Sequence, residues 1–69
     1  MIGIFKTNIA TRRDSLEMLT AIRRQFQVGS CNVDLEDCDK VLRIVDMPVS
    51  EDTMIDFVRR SGFDCELLD

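Results

Sequence analysis

The sequence predicts an α+β domain in which helices and strands follow in the order β-α-β-β-α-β. Two observations carry this prediction. In two segments, apolar residues recur every three or four positions behind a typical N-cap residue, which indicates amphipathic helices. Four shorter segments flank them and are rich in β-branched residues or alternate between apolar and polar residues, which indicates strands. The chain therefore contains two successive strand–helix–strand units.

The first unit contains a strand over residues 2–8 and a helix that begins after Thr11. Thr11 is a typical N-cap residue, and Asp14 three positions later gives the Thr-X-X-Asp form of a capping box. Val28 and Gly29 are predicted to close the helix, because glycine is common at helix ends. One apolar stripe of this helix is predicted to face the core, and it consists of Leu16, Leu19, Ile22 and Phe26.

The centre of the chain predicts a β-hairpin. Apolar residues alternate with polar ones, as in a half-buried strand, at Cys31, Val33 and Leu35. A polar break over residues 36–40 separates them from a second strand over residues 41–45, in which Leu42 and Ile44 share one face. A break of this length favours antiparallel pairing of the two strands.

The second unit repeats the pattern of the first. Ser50 is a typical N-cap residue, and Gly62 marks the end of the helix. The apolar stripe of this helix consists of Met54, Ile55, Phe57 and Val58. Phe63, Cys65 and Leu67 then alternate with acidic residues as a closing strand. With right-handed crossovers, the order predicts a single domain over residues 1–69. Its four-stranded antiparallel sheet carries two helices on one face, the ferredoxin-like arrangement.

The composition argues against several classes of function. The chain carries 13 acidic against 9 basic residues, a net charge of −4, which argues against nonspecific nucleic-acid binding. It contains no His, Tyr or Trp, so the usual general base and the best stacking side chains are missing. The sequence also shows no glycine-rich phosphate loop and no convincing pair of catalytic carboxylates. We therefore expect no enzyme activity and no nucleic-acid partner.

The sequence favours a cytoplasmic location. No apolar run approaches the roughly 18 residues of a membrane-spanning helix, so no membrane partner is expected. The first residues lack the basic and then apolar pattern of a signal peptide. The chain has 3 cysteines, an odd number that does not suit a disulfide framework, so we expect reduced thiols.

The second half of the chain carries a resemblance to a known family. The segments concerned are Val33-Asp34-Leu35-Glu36, Lys40-Val41-Leu42-Arg43-Ile44 and, after the second helix, Gly62-Phe63-Asp64-Cys65-Glu66-Leu67. Over essentially its whole length the sequence resembles the heavy-metal-associated domain of copper chaperones and metal-pumping ATPases. It is also similar to a group of small uncharacterised bacterial proteins that share a Phe-Lys-Thr-Asn start and an Asp-Leu-Glu-Asp-Cys-Asp hairpin. The first resemblance implies the ferredoxin-like fold, and the second implies no activity.

The metal loop of the heavy-metal-associated family is missing from this chain. In the family, a Met-X-Cys-X-X-Cys loop between the first strand and the first helix holds the metal. Here the corresponding segment covers residues 7–12, and Ile9 and Arg12 are nearest to the two cysteine positions. Neither an alkyl group nor a guanidinium binds a soft metal, so metal chaperoning through this loop is not expected.

Two cysteines are predicted to lie at the end of the molecule that holds metal in the family. Cys38 falls in the hairpin, and Cys65 begins the last strand, whereas Cys31 belongs to the opposite end. Two interpretations stay open. In the first interpretation, Cys38 and Cys65 form a relocated soft-metal or redox site. Alternatively, Cys65 is a small core residue, because it is in phase with Phe63 and Leu67.

The predicted sheet leaves one face without helices. On the third strand, Val41, Arg43 and Val45 alternate with the inward-facing residues and are therefore predicted to point away from the helices. On the first strand the pattern leaves open which of the two alternating sets shares that face. An uncovered apolar sheet face often marks an association surface. We predict an interaction surface formed by Phe5, Val41, Arg43 and Val45.

Together these observations predict a noncatalytic interaction or regulatory module on a heavy-metal-associated scaffold. The expected partner is another protein or a second copy of the chain, which would form a homodimer, and no cofactor is expected. The alternative function is soft-metal or redox binding through Cys38 with Cys65.

Overall fold

The computed structural model describes residues 1–68, which form six elements of secondary structure. In chain order these are β1 (Gly3–Thr7), α1 (Arg12–Gln25), β2 (Ser30–Val33), β3 (Leu42–Val45), α2 (Glu51–Arg60) and β4 (Cys65–Leu67). The strands form one antiparallel sheet in the order β2-β3-β1-β4, and the two helices pack against one of its faces. This is the ferredoxin-like arrangement, so the predicted fold class is confirmed. Neither helix within residues 1–68 is long and apolar enough to cross a membrane.

Alternation along the strands divides the sheet into a buried face and an open face. On β1, Phe5 is fully buried, whereas the neighbouring Lys6 is exposed. Phe5 pairs with Leu42 of β3, and Cys31 of β2 pairs with Ile44, so buried side chains of neighbouring strands lie side by side. Leu42 and Ile44 are both 0% exposed, which confirms their predicted inward orientation. The helices complete the core with Met18, Leu19, Ile22, Met54 and Val58.

The buried stripe of α1 differs from the predicted one. Its residues follow the spacing expected of one helix face, and they are Ser15, Met18, Leu19 and Ile22. Leu16 is 57% exposed, so its predicted place in the stripe is wrong. Each step along a helix rotates the side chain by about 100°, which carries Leu16 away from the centre of the buried face.

Helix α1 also ends earlier than the sequence predicts. Its last residue is Gln25, and the C-cap Phe26 has an extended backbone (φ −130°, ψ 148°) for which no glycine is needed. The Phe26 ring packs edge-to-face against Phe57 of α2, with 5.1 Å between the ring centroids and 81° between the ring planes. Gly29 does not end the helix. It leaves room for the side chain of Asp46, since a Cβ at Gly29 would lie 2.5 Å from a carboxylate oxygen of Asp46.

Both predicted N-caps are confirmed. The Thr11 Oγ1 accepts a hydrogen bond from the Asp14 backbone N–H at 3.1 Å. The Ser50 Oγ accepts one from the Thr53 backbone N–H at 3.2 Å. Each bond satisfies a backbone donor that the first turn of a helix leaves without an intrahelical partner.

Gly62 ends α2, as the sequence predicts. Its φ of +102° lies in a region that residues with a side chain rarely adopt. The Gly62 N–H donates to the Arg59 carbonyl oxygen at 3.1 Å, and the Phe63 N–H donates to the Val58 carbonyl oxygen at 3.4 Å. These paired bonds form a Schellman motif, which satisfies the last carbonyls of α2 before the chain enters β4.

Candidate functional site

The loop between β1 and α1 contains Ile9, and Arg12 follows it at the start of α1; these are the two positions at which the predicted resemblance would place metal-binding cysteines. The Thr7 Oγ1 donates to the Lys40 carbonyl oxygen at 2.6 Å and accepts from the Ile9 backbone N–H at 3.2 Å. Ile9 is fully buried in the core, and Arg12 is exposed as the first residue of α1. The two predicted positions therefore hold a packed alkyl group and a solvated guanidinium, neither of which ligates a soft metal.

Cys38 is exposed in the turn between β2 and β3. The Asp39 N–H donates to the Asp37 Oδ1 at 2.8 Å, and the Thr7 N–H donates to the Asp39 carbonyl oxygen at 3.0 Å, which ties the turn to the end of β1. Potential ligand atoms of Asp37, Cys38 and Asp39 lie within 4.8 Å of one another, and we call these three residues the Cys38 cluster. One thiol and two carboxylates suit Zn²⁺ better than Cu⁺.

Cys65 begins β4 at the end of the sheet where β1 finishes, but it is buried. It pairs with Thr7 across β1 and β4 and is 2% exposed. Burial raises the pKa of the Cys65 thiol from 9.0 to about 11, and the charge of Arg59 offsets part of this effect. The interpretation of Cys65 as a core residue is confirmed, and Cys65 is not part of the Cys38 cluster.

Cys31 is the second buried thiol. It pairs with Ile44 in the core and is 5% exposed. Burial raises the pKa of the Cys31 thiol, and the Arg23 guanidinium lowers it by a smaller amount through its charge and a hydrogen bond. Both buried thiols are therefore held in their neutral form, which leaves Cys38 as the accessible thiol.

Thiol labelling is expected to distinguish Cys38 from the two buried cysteines. In native protein at pH 8, iodoacetamide should modify one thiol per chain quickly, because burial protects Cys31 and Cys65. In denaturant all 3 cysteines should react. Mass spectrometry counts the adducts, and the Cys38→Ser variant should show no fast reaction in the native state. Fast modification that persists in this variant would contradict the placement of the buried thiols.

The burial of Cys65 also predicts a loss of stability at alkaline pH. The unfolded chain releases the Cys65 proton near pH 9.0, whereas the folded protein retains it until about pH 11. Between these values the unfolded state binds fewer protons, so the free energy of unfolding falls as the pH rises. Urea denaturation at several pH values checks this, with Cys65→Ala as the comparison. The variant should lose less stability across this window, and parallel profiles would count against the assignment.

A cleft that the sequence does not predict opens beside β4 at the end where β1 finishes. The Asn8 Oδ1 accepts a hydrogen bond from the Asp64 N–H at 2.8 Å, so some of the polar groups of the cleft are already hydrogen-bonded to each other. The cleft has a volume of about 360 Å³ and is lined by Lys6, Thr7, Asn8, Arg59, Asp64, Cys65 and Glu66. The charges of its two basic and two acidic side chains balance. No local sequence signal marks the cleft, because its residues come from separate segments of the chain.

Two members of the predicted interaction surface are buried. Phe5 is 0% exposed and lies in the core, so its predicted place on the open face is wrong. Gly3 leaves room for the Phe5 ring, since a Cβ there would lie 2.7 Å from a ring carbon. The predicted exposure of Val41 is also wrong, because Val41 is 6% exposed. The chain turns at Lys40 (φ 44°), and the regular alternation of β3 begins only at Leu42.

The open face retains the other two predicted residues and includes three further apolar residues. Arg43 is exposed and Val45 is half-buried. Ile4 pairs with Arg43, and the Leu68 N–H donates to the Ile4 carbonyl oxygen at 3.1 Å, so Ile4 and Leu68 are neighbours. Ile2, two residues before Ile4, is 58% exposed. We define the open sheet face as Ile2, Ile4, Arg43, Val45 and Leu68, bordered by Lys6, Asn32 and Glu66.

A separate groove lies on the helical layer. It has a volume of about 570 Å³, and the exposed Leu16 and the half-buried Phe57 form part of its apolar wall. The remaining lining residues are Glu17, Thr20, Ala21, Arg24 and Gln25. The groove is therefore a second surface with apolar side chains, on the side of the molecule opposite to the open sheet face.

Comparison with models of protein families, with curated proteins and with solved structures finds no match to this chain. The resemblance to the heavy-metal-associated family therefore stays a prediction from the sequence.

Proposed function

We propose that the protein is a noncatalytic interaction module that binds a protein chain through the open sheet face. One observation carries the proposal: Ile2, Ile4 and Leu68 form an apolar patch on the sheet face that the helices leave uncovered. Apolar patches bordered by polar side chains are typical of association surfaces. Arg43, which pairs with Ile4, is a residue type that is enriched at protein interfaces.

Three buried nucleophilic side chains of the sheet support a noncatalytic role. Burial keeps the thiols of Cys31 and Cys65 protonated and away from solvent. The Thr7 hydroxyl is engaged by the Lys40 carbonyl oxygen and the Ile9 N–H. These groups therefore contribute to packing and to loop structure rather than to chemistry on a substrate.

The proposed location is the cytoplasm, and the proposed scaffold is a heavy-metal-associated domain without its metal loop. The three cysteines are unpaired, and Cys38 is exposed, which suits a reducing compartment. The buried Ile9 in the loop between β1 and α1 suits a scaffold whose loop packs on the core rather than binding metal. Such a module would regulate its partner by occupying a surface.

Site-specific photo-crosslinking in cells tests the proposal and captures a partner of any identity. A photoreactive amino acid replaces Asn32, which is exposed and pairs with Arg43 at the border of the open sheet face. The control position is Thr20, which is exposed beside the helical groove. The proposal predicts one discrete adduct from position 32, and Arg43→Glu should abolish it. The adduct mass distinguishes a second copy of 7.9 kDa from another protein.

Two outcomes of this experiment would contradict the proposal. Crosslinking from position 20 alone would move the interaction to the helical groove. A complete lack of discrete adducts from position 32, with normal protein levels, would remove the open sheet face as the binding surface.

A second candidate function is metal binding by the Cys38 cluster. The observation that favours it is the separation of the three potential ligand atoms, which lie within 4.8 Å of one another. Native mass spectrometry of the reduced protein with stoichiometric Zn²⁺ or Cu⁺ tests it. Binding that is lost in Cys38→Ser and retained in Cys65→Ser would support this function. An apo spectrum at every metal ratio would remove it.

A further inference from the structure

Each of the two outer strands of the sheet accepts a hydrogen bond from an arginine of the helix that precedes it. In the strand order β2-β3-β1-β4, the outer strands are β2 and β4. The Arg23 Nη2 donates to the Cys31 carbonyl oxygen of β2 at 3.2 Å. The Arg59 Nε donates to the Cys65 carbonyl oxygen of β4 at 3.0 Å. Each arginine lies in the last turn of the helix before its strand, so both strand–helix–strand units repeat the contact.

The Cys31 carbonyl group points away from the sheet. The Asp34 N–H donates to the Val41 carbonyl oxygen at 2.8 Å, which continues the register that pairs Val33 with Leu42. Hydrogen-bonded and non-hydrogen-bonded pairs alternate along an antiparallel ladder. Cys31 therefore belongs to a non-hydrogen-bonded pair, and its backbone N–H and C=O face outward from β2.

The Cys65 carbonyl group points outward from β4 for the same reason. The Leu68 N–H donates to the Ile4 carbonyl oxygen at 3.1 Å, which continues the register that pairs Cys65 with Thr7. Cys65 is three residues from this hydrogen-bonded pair, so it belongs to a non-hydrogen-bonded pair. Both arginines therefore bind backbone acceptors that a further strand would need.

An outer strand with free backbone groups can accept another strand, either from a partner or during aggregation. A strand that adds to β2 or β4 must replace the arginine at the outward carbonyl and also lie against its charged side chain. The displaced guanidinium would lose a charge-assisted hydrogen bond, which is stronger than a bond between neutral groups. The arginine contact therefore opposes strand addition at each edge.

We propose that Arg23 and Arg59 close the two edges of the sheet to strand addition. A partner chain then reaches the sheet through a face and not by adding a strand. This inference concerns the edges and is independent of the proposed function, because the edges can be closed whether or not a partner binds the open sheet face.

A pair of double variants with equal charge tests the proposal. Arg23→Ala with Arg59→Ala removes both contacts, whereas Arg24→Ala with Arg60→Ala removes the neighbouring arginines from the same two helix turns. In sedimentation velocity at increasing concentration, the first variant should self-associate about tenfold more tightly than the wild type. The control variant should sediment like the wild type. Equal behaviour of both variants and the wild type would overturn the proposal.

Amide hydrogen exchange identifies the surface through which the variant associates. The outward N–H groups of Val33 and Leu67 should exchange about tenfold more slowly in the associated variant, because a new strand would bond them. Association that leaves these amides unprotected would overturn the proposal.

A measurement on the wild type covers the case in which the first double variant fails to fold, as judged by circular dichroism. The Nε–H of Arg59, which is bonded to the Cys65 carbonyl oxygen, should exchange with solvent more slowly than the Nε–H of Arg24. Equal exchange of the two groups would show that the β4 edge is open and would overturn the proposal.

Discussion

Replacing Phe5 with alanine is expected to lower the free energy of unfolding by about 3–5 kcal/mol, because the change removes buried surface and leaves a cavity. Phe5 is fully buried and pairs with Leu42 on one side and Leu67 on the other. A chain of 69 residues has a free energy of unfolding of about 3–10 kcal/mol, so the variant should lose much or all of its stability. Urea denaturation followed by circular dichroism measures the loss.

The matched control for this experiment is Leu16→Ala. Leu16 is 57% exposed on α1, so its replacement should change the free energy of unfolding by only about 0.5 kcal/mol or less. The two variants also distinguish the structure from two predictions made from the sequence, which place Phe5 on the open face and Leu16 against the core. A larger loss for Leu16→Ala than for Phe5→Ala would contradict the phase of β1 and the orientation of α1.

Replacing Gly3 with alanine is expected to destabilise the protein by about 1–3 kcal/mol, because it overpacks the core. A Cβ at Gly3 would lie 2.7 Å from Cε2 of Phe5 and 2.9 Å from Sδ of Met47. Both neighbours are buried, with exposures of 0% and 4%, so neither can move into solvent at low cost. Thermal denaturation of the wild type and of Gly3→Ala measures the effect.

A second variant shows whether the Phe5 ring is the cause. In a Phe5→Leu background the ring is absent, so adding Gly3→Ala should cost less than it does in the wild type. An unchanged stability of Gly3→Ala alone would show that the core tolerates the extra methyl group. An equal cost in both backgrounds would assign the effect to Met47 or to the strand backbone.

The order of the elements could be predicted from the sequence because local signals agree with it. Thr11 and Ser50 cap the helices through the hydrogen bonds that their side chains suggest, and Gly62 ends α2 with a positive φ. The phase of β1 could not be predicted in the same way, because either alternating set of its residues is apolar enough for the core. Gly3 holds the missing signal, since the space that it leaves is occupied by Phe5.

The position of each thiol could be predicted better than its role. Alternation in β4 indicates that Cys65 faces the core, and its 2% exposure confirms this. The lack of apolar neighbours around Cys38 indicates an exposed turn, which is also confirmed. The arginine contacts at the sheet edges could not be predicted, because they depend on where the last turn of each helix lies against the next strand. The two arginine pairs at the helix ends are the only local signal, and a pattern alone does not distinguish Arg23 from Arg24.

The ratio of crosslinking yields from positions 32 and 20 in cells tests the proposed interaction surface most directly. Asn32 borders the open sheet face, and Thr20 lies beside the helical groove on the other side of the molecule. We predict a discrete adduct from position 32 that disappears in Arg43→Glu, with a much lower yield from position 20. A dominant adduct from position 20, or an adduct from position 32 that Arg43→Glu leaves unchanged, would contradict binding through the open sheet face.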